Sequence, residues 1–354
     1  MKVVLLAPLP PPSGGIATWA KRMQNAKLKN GWKVEIVDEK VFGNREIKGD
    51  NIKKNIFVEL KRSISIWRRL SKALSDSEAK VVHCSIPAAP TSMLREIGSA
   101  VITKFHRRKF IVHFRCTVPN MVQSKIALLL FKVLTGLSDA VIALNSASVD
   151  YIKQNAKTQV MLIPNFVSLT EIREKDWDFS SFTATYIGNV VEDKGCIDII
   201  EAARLLPNCE FRLVGKADNK VLSIPEIPEN VVFVGEVGRE GVKEELEKAN
   251  VFLFPSYYIG EGFSNSLAEA MAAQLPCIVT DWAANWDMIG ETGGFCVEKK
   301  SPEAIAKAVR ELMDAPTLQV KMGIANYNKV KNQYSQEHIT ECYVDLYELI
   351  TNKN

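Results

Sequence analysis

The sequence of 354 residues lacks any long uninterrupted apolar run. No window approaches the ~18 apolar residues of a membrane-spanning helix. The opening stretch MKVVLLAPLPPPSGG has a short apolar run that breaks into prolines, so it predicts a first strand entering a loop and no signal peptide. We therefore expect a cytoplasmic protein without a membrane span.

A paired spacing of cysteines is also missing. The seven cysteines are an odd and scattered set with no C-x-x-C pair. This pattern disfavours a disulfide framework or a zinc site and predicts reduced, mostly buried thiols.

The familiar glycine signatures of nucleotide-binding loops are absent. Gly14 and Gly15 follow the first predicted strand, but their spacing fits neither G-x-G-x-x-G nor G-x-x-x-x-G-K. A nicotinamide enzyme or a P-loop ATPase is therefore disfavoured. The pair could let the backbone approach a ligand, or it could serve a tight turn alone.

What the chain does contain is an alternation of short β-branched runs with helical patterns. The predicted strands are Lys2–Ala7, Lys33–Val37, Lys80–Cys84, Phe110–Phe114, Ala140–Leu144, Gln159–Ile163, Thr183–Gly188, Glu210–Gly215, Val231–Gly235, Val251–Pro255 and Pro276–Thr280. Such runs separated by helices predict two α/β domains with doubly wound parallel sheets. We divide the chain into residues 1–168, a linker at 169–182, a second domain at 183–334 and a last helix at 335–354.

The net charge of +4 conceals an asymmetry between the two halves. Residues 1–170 hold 27 Lys/Arg against 11 Asp/Glu, a net +16, and the remainder holds 18 against 30, a net −12. Basic runs lie at Lys53–Lys72 and His106–Phe110. Solvated helix faces explain most such runs; the alternative is an anionic membrane surface or anionic acceptor. No nucleic-acid-binding motif accompanies the charge.

Two loops in the second half carry candidate chemistry at strand ends, where open α/β sheets bind ligands. In YIGNVVEDKG, Lys194 precedes a helix and could neutralise a phosphate, although a solvated lysine is the simpler interpretation. In EGFSNSLAEAMA, Glu261 lies in a loop, Ser264 or Asn265 is a good N-cap, and Glu269 falls inside the helix. The two acids share no helical face, so an anion site is favoured over a hydrolytic acid pair.

In the first half, FIVHFRCTVP places His113 and Arg115 at a strand's carboxyl end. A histidine within a strand is usually a core residue. Its position at the strand end leaves contact with a sugar as an equal alternative.

Taken together, SGGIA, LIPNFVS, YIGNVVEDKG, VFLFPS, EGFSNSLAEAMA and CIVTDWAANWDMI resemble the retaining nucleotide-sugar glycosyltransferases of family four, which have GT-B architecture. The resemblance implies an acceptor-binding first domain, a nucleotide-sugar-binding second domain facing it across a cleft, and a last helix that crosses back to the first domain.

The resemblance also implies roles. Glu269 would hold the ribose, and Glu261 would contact the donor sugar. Lys194 with the backbone of Gly262, Phe263, Ser264 and Asn265 would cradle the diphosphate. Gly14 and Gly15 would approach that diphosphate, His113 would contact the sugar, and Val234 would bracket the base.

One departure from the family pattern matters most. Asn189 stands where the family usually has arginine, so either another base, Arg115 or Lys216, substitutes for it or donor binding is weaker.

The expected reaction transfers a hexosyl unit from a UDP- or GDP-linked sugar to a polysaccharide or lipid-linked saccharide, with retention. We identify no Asp-x-Asp cluster, so no cofactor or metal is expected, and Lys194 with a helix dipole would supply positive charge instead. Alternatives are a nucleotide-sugar epimerase on the same fold and a non-catalytic sugar-nucleotide-binding subunit. The basic first half favours a peripheral location at the inner membrane face, and nucleic acid is not an expected partner.

Overall fold

The computed structural model describes residues 1–11, 14–39, 56–169 and 175–352. The chain forms two compact units. The first consists of Met1–Pro164 together with Ile339–Asn354, and the second consists of Asn165–His338. Lys53 and Lys54 of the predicted basic run, Ser13 beside the glycine pair, and Thr170–Glu174 of the predicted linker lie outside the described residues.

The first unit is built on a parallel sheet with the strand order β2-β1-β3-β4-β5-β6. Its strands are β1 Lys2–Ala7, β2 Lys33–Asp38, β3 Ala79–Ile86, β4 Lys109–Phe114, β5 Ala140–Ala143 and β6 Val160–Leu162. The described helices of this unit are α1 Gly15–Asn25, α2 Ile56–Leu74, α3 Pro90–Phe105, α4 Val118–Met121, α5 Lys125–Leu137 and α6 Ser146–Asn155. Near-continuous burial along β1, β3 and β4 explains why these strands read as apolar runs.

The second unit repeats this architecture with the order β12-β11-β10-β7-β8-β9. Its strands are β7 Thr183–Ile187, β8 Glu210–Val214, β9 Val231–Gly235, β10 Val251–Phe254, β11 Cys277–Thr280 and β12 Gly294–Val297. Its helices are α7 Cys196–Arg204, α8 Asn219–Leu222, α9 Arg239–Lys248, α10 Asn265–Ala272, α11 Asn285–Ile289, α12 Pro302–Met313 and α13 Pro316–Lys329. The chain winds outward from β7 in one direction and then resumes at β10 on the other side. The β7–β10 boundary is therefore the topological switch point, where ligands bind in such sheets.

The last helix, α14 Gln336–Asn352, packs on the first unit through buried tyrosines. The indole N–H of Trp19 donates to the Tyr343 hydroxyl at 3.2 Å, and the Tyr347 hydroxyl lies 2.7 Å from Nδ1 of His83. The predicted return of the last helix to the first domain is confirmed.

All eleven predicted strands are present, with ends that differ by at most two residues. The sequence analysis missed β12, because the short run GFCV begins with glycine and resembles a loop. All seven cysteines are free thiols and five of them are buried, which confirms the prediction of unpaired, mostly buried cysteines. No helix in the described parts of the chain is both long enough and apolar enough to cross a membrane.

Candidate functional site at the switch point of the second unit

The loop after β7 is shaped by a glycine that no other residue could replace without strain. Glu192–Lys194 form a short 3₁₀ turn that ends at Gly195, which has a left-handed φ of 77°. A Cβ at Gly195 would lie 2.4 Å from the Pro255 carbonyl oxygen at the end of β10. This close approach brings Lys194 to the strand on the other side of the switch point.

The loop after β10 supplies the partner of that lysine. Lys194 Nζ forms an ion pair with Glu261 Oε2, to which the Ser256 hydroxyl also donates at 3.3 Å. The ammonium group lies 4.5 Å from the Tyr258 ring centroid. Both charged side chains are mostly shielded, with 17% and 11% of their surfaces exposed. The sequence analysis named Lys194 and Glu261 separately, and the structure brings them together.

Helix α10 begins at Asn265, four residues after Glu261. Ser264, one of the two predicted candidates, is its N-cap: its hydroxyl accepts from the Leu267 N–H at 3.2 Å. The N–H groups of Asn265 and Ser266 belong to the first turn and have no partner within the helix. A partly shielded cation beside a helix N-terminus is a chemically suitable place for an anion such as a diphosphate.

The remaining residues of this segment hold the helix start in place. Phe263 is buried, with its ring edge against Tyr334 at a centroid distance of 5.1 Å. Asn165 donates to the Phe263 carbonyl at 3.2 Å and to Asn265 Oδ1 at 3.1 Å. Gly262 is buried between Glu261 and Phe263, and Glu269 lies one turn further along α10, half-buried.

Asn189 lies at the same edge of the sheet and is exposed. Its carbonyl accepts from the Tyr186 hydroxyl at 2.9 Å, and the next residue, Val190, donates its N–H to the Lys216 carbonyl at 2.9 Å. Lys216, also exposed, therefore follows β8 beside the loop that carries Asn189. Of Arg115 and Lys216, the two bases that could substitute for the family's arginine, Lys216 lies at the same sheet edge of the second unit as Asn189.

Val234 lies near the carboxyl end of β9 and is half-buried. The carbonyl of its neighbour Gly235 accepts from the Gly215 N–H at 2.8 Å. The ends of β7, β8, β9 and β10 therefore contribute Asn189, Lys216, Val234 and Glu261 to one edge of one sheet.

Gly14 and Gly15 belong to the first unit. Gly14 precedes α1 with an extended backbone (φ 178°) and no side-chain cap, and Gly15 is the first residue of the helix. Both are exposed. The contacts within the first unit do not test their predicted approach to a diphosphate, which stays a prediction.

His113 is fully buried in the first unit and is surrounded by aromatic and basic side chains. Its Nδ1 lies 3.0 Å from His83 Nε2, and Arg115 Nη1 lies 3.2 Å from its Nε2. Burial and the nearby Arg115 charge lower the pKa of His113 well below its usual range and lower that of His83 to about 3. Both imidazoles are therefore neutral, and every described contact of His113 belongs to the packing of this unit. Its contact with a sugar stays a prediction.

Arg115 is enclosed by the same cluster. Its guanidinium stacks 4.5 Å from the centroid of the Trp19 ring, and burial lowers its pKa to about 10. Within the first unit this arginine contacts Trp19, His113 and Tyr343, and its electrostatic interaction and hydrogen bond with Tyr343 oppose the lowering of its pKa.

A potential metal-binding pattern lies just before β7. Asp176-Trp177-Asp178 is an Asp-x-Asp tripeptide that the sequence analysis overlooked. It precedes β7 and therefore lies at the amino edge of the sheet, away from Lys194 and Glu261. Asp178 Oδ1 accepts from the Ser180 N–H at 2.8 Å, and its carbonyl accepts from Asn250 at 2.8 Å. These contacts give Asp178 a local role in a turn.

Among the described residues, Glu39, Cys84 and Glu96 form a buried group with metal-ligand atom types. Arg95 contacts both carboxylates, at 2.9 Å for Glu39 and 2.6 Å for Glu96. Burial, followed by the charge of Glu96, raises the pKa of Glu39 to about 8, and burial also raises the pKa of Cys84. An acid pair that shares a proton beside an arginine fits this arrangement better than a divalent cation does.

Sequence reasoning missed Ser256, Tyr258 and Asn165 as partners of the site. The Tyr258 carbonyl accepts from the indole N–H of Trp282 at 2.7 Å, which anchors the loop that carries Glu261. The only sequence signals were an aromatic pair between VFLFPS and the first glutamate, and an asparagine in LIPNFVS. Neither pattern specifies a contact across about 100 residues.

Two Rossmann-like units, with the final helix packed on the first unit and charged groups at the switch point of the second, define a protein of GT-B architecture. Solved structures agree with this fold. Sucrose-phosphate synthase from Thermosynechococcus elongatus has a TM-score of 0.81 at 18% identity, with 100% of both chains covered. Anabaena HepE in complex with UDP has a TM-score of 0.75 at 14% identity, with 99% of this chain and 100% of that chain covered.

Sequence comparison finds a family match within the second unit. Residues 169–329 match the family model of glycosyl transferases group 1. The capsular polysaccharide biosynthesis glycosyltransferase CapM of Staphylococcus aureus is 29% identical over 180 residues. The alpha-galactosylglucosyldiacylglycerol synthase of Streptococcus pneumoniae is 26% identical over 180 residues. The matches cover 47% and 48% of this chain and 46% of the length of each of these relatives.

Proposed function

We propose that this protein transfers a hexosyl unit from a nucleoside-diphosphate sugar to a hydroxyl group of a polysaccharide or lipid-linked saccharide, with retention and without a metal ion. The observation that carries the proposal is the meeting of Lys194, Glu261 and the N-terminus of α10 at the switch point of the second unit. Anionic diphosphate and sugar hydroxyls are the groups that this combination of cation, carboxylate and N–H donors can bind.

In the free protein the ion pair satisfies both Lys194 and Glu261. We infer that the donor exchanges these partners. The diphosphate oxygens would take the ammonium of Lys194, and Glu261 would then accept hydrogen bonds from sugar hydroxyls. The exchange avoids leaving either charge without a partner in a mostly shielded site.

The proposed chemical step breaks the bond between the anomeric carbon and the diphosphate oxygen, and the electron pair leaves with the diphosphate. The acceptor oxygen forms the new bond on the same face of the sugar, and its proton passes to the leaving phosphate oxygen. Lys194 and the first-turn N–H groups of α10 stabilise the negative charge that develops. One donor of this kind is worth about 2.7–4 kcal/mol in such a transition state.

The relatives support the substrate classes. CapM is named for capsular polysaccharide biosynthesis, and the pneumococcal relative is named for an α-linked product on a diacylglycerol lipid. An α-linked product made from an α-linked donor is retention. The UDP complex of HepE makes a uridine nucleotide the first donor to test. These names also support a location at the membrane surface for the basic first unit.

The first test is calorimetric titration of nucleoside diphosphates into the wild type and Glu269→Ala. We expect Glu269→Ala to lose most of its nucleotide affinity, because a ribose hydrogen bond to a carboxylate would be removed. Glu311→Ala on α12 is the matched control. Unchanged nucleotide binding by Glu269→Ala would refute the ribose assignment.

The second test is incubation with a panel of UDP- and GDP-sugars, with products identified by NMR. Slow release of free sugar with retained configuration, also in the presence of a chelator, supports the proposal. An epimerised sugar nucleotide would favour the epimerase. Binding without turnover would favour a non-catalytic subunit, and a thermal-shift panel measures such binding because a donor bound only to the folded state raises Tm.

A further inference from the structure

Three neighbouring helices of the first unit expose apolar side chains on their outer surface. Helix α3 packs against both α2 and α5. The close contact of α2 and α3 is shown by Trp67, whose indole N–H donates to the Arg95 carbonyl at 3.1 Å. The inner sides of the same helices supply core residues such as Ile66, Ala100 and Phe131. The exposed apolar side chains of these helices are additional to those that bury the sheet.

The exposed apolar residues recur at helical spacing on each helix. On α2 they include Phe57, which is 75% exposed, and Leu60, and on α3 they include Phe105, which is 85% exposed. On α5 they include Ile126 and Leu129, which are 69% and 62% exposed. Side chains of this size in water on three adjacent helices mark an interaction surface.

The charged residues between them have one sign. Lys61, Arg68 and Arg69 on α2 and Lys125 and Lys132 on α5 are exposed. Over the described side chains of the three helices no Asp or Glu is exposed. Glu59 is half-buried 3.4 Å from Arg62, and Glu96 is buried.

We propose that this surface, formed by the outer sides of α2, α3 and α5, docks on an anionic lipid bilayer. Apolar side chains would enter the boundary between headgroups and acyl chains while long basic side chains contact lipid phosphates. Each Lys or Arg near an anionic surface strengthens such binding by roughly fivefold. A second copy of the chain is a poorer occupant, because two such surfaces would oppose basic residues with basic residues. The proposal deepens the proposed function by naming the membrane partner, and it rests on that function only for its link to lipid-linked acceptors.

The test is co-sedimentation of the full chain with vesicles of phosphatidylcholine containing 30% phosphatidylglycerol, without any sugar nucleotide. We expect binding to these vesicles and at least tenfold weaker binding to pure phosphatidylcholine. The double variants Lys61→Glu/Ile64→Ser on α2 and Leu129→Ser/Lys132→Glu on α5 should each weaken binding by at least about tenfold. All of the substituted side chains are exposed, so the melting temperature should stay near that of the wild type.

The matched control is Lys321→Glu/Ile324→Ser. It makes the same substitutions at the same spacing on α13 of the second unit, where both side chains are also exposed. This variant should bind vesicles as the wild type does. The proposal is overturned if wild-type protein stays in the supernatant, if all three variants bind alike, or if sedimentation velocity shows a dimer that Lys61→Glu/Ile64→Ser dissolves. Because no donor is present, failure here leaves the proposed transferase activity to its own tests.

Discussion

The two units share one architecture and use the carboxyl edges of their sheets differently. In the first unit, the end of β4 is covered by its own aromatic side chains, and His113 between Trp19 and Tyr343 is completely buried. In the second unit, the corresponding edge presents the Lys194–Glu261 ion pair together with exposed Asn189 and Lys216. The same fold therefore carries a packed cluster in one unit and partly accessible polar groups in the other.

The charge contrast follows the same division. The first unit combines an exposed basic surface with buried titratable groups, whereas the acidic second unit contains the residues that match the family model of glycosyl transferases group 1. We therefore expect chemistry at the sheet edge of the second unit, where charged side chains keep some access to solvent. Variants placed in each unit can test that division.

The largest effect should come from Lys194→Ala in the second unit. Removing the cation that faces the leaving group should lower the transfer rate by about 10²–10³. The rate is measured as product formed from the donor identified in the sugar-nucleotide panel. A loss smaller than about threefold would contradict a role for Lys194 in stabilising the leaving group.

An effect of comparable free energy, on stability and not on rate, should follow from Gly215→Ala. Gly215 has a φ of 134°, and a Cβ there would lie 1.9 Å from the Gly188 carbonyl oxygen. We expect unfolding of the second unit to become easier by about 3 kcal/mol, measured by urea denaturation. Gly238→Ala is the control, because φ is −73° and no described atom lies within 4 Å of the added methyl. Equal stabilities for the two variants would contradict the close approach of β7 and β8.

A smaller effect is expected from pH, and it should be specific to the first unit. The pKa of Glu39 is raised from its ordinary value near 4.5 to about 8, so the folded state holds a proton that the unfolded state releases between these values. The free energy of unfolding should therefore fall as pH rises towards 8. Between pH 6.5 and 8 the decrease should be about 1–2 kcal/mol. The lowered pKa of His83 acts only below about 6.5, because that group is neutral in both states above it.

Hydrogen exchange of first-unit amides at several pH values measures this slope. Glu39→Gln should flatten it. An unchanged slope in Glu39→Gln would show that another group binds the proton.

The smallest effect is expected from Lys220→Ala. Lys220 pairs with Glu192 in the same loop region as Lys194, but both side chains are well exposed, at 61% and 42%. Its removal should change stability by less than about 0.5 kcal/mol and leave the transfer rate near that of the wild type. A loss as large as that of Lys194→Ala would mean that the site extends to α8.

Much of the fold could be predicted because buried parallel strands are apolar along nearly their whole length. Val251–Phe254 is a clear example, since all four residues are buried. The N-cap at Ser264 was equally local, because a small hydroxyl residue before LAEAMA satisfies the first helical N–H groups. The short strand β12 was missed because its glycine and few apolar residues carry no local strand signal.

The alternating α/β pattern, the charge difference between the halves and the loops that carry Lys194 and Glu261 are evident from the amino-acid sequence, because periodicity and turn chemistry are local properties. The ion pair between these two residues, 67 positions apart, is evident only in the folded chain, because it depends on β10 lying beside β7 and on the left-handed turn at Gly195. It also decided that His113 is a buried member of an aromatic cluster. Burial arises from helices packed across a sheet, and a single strand does not specify which helices those are.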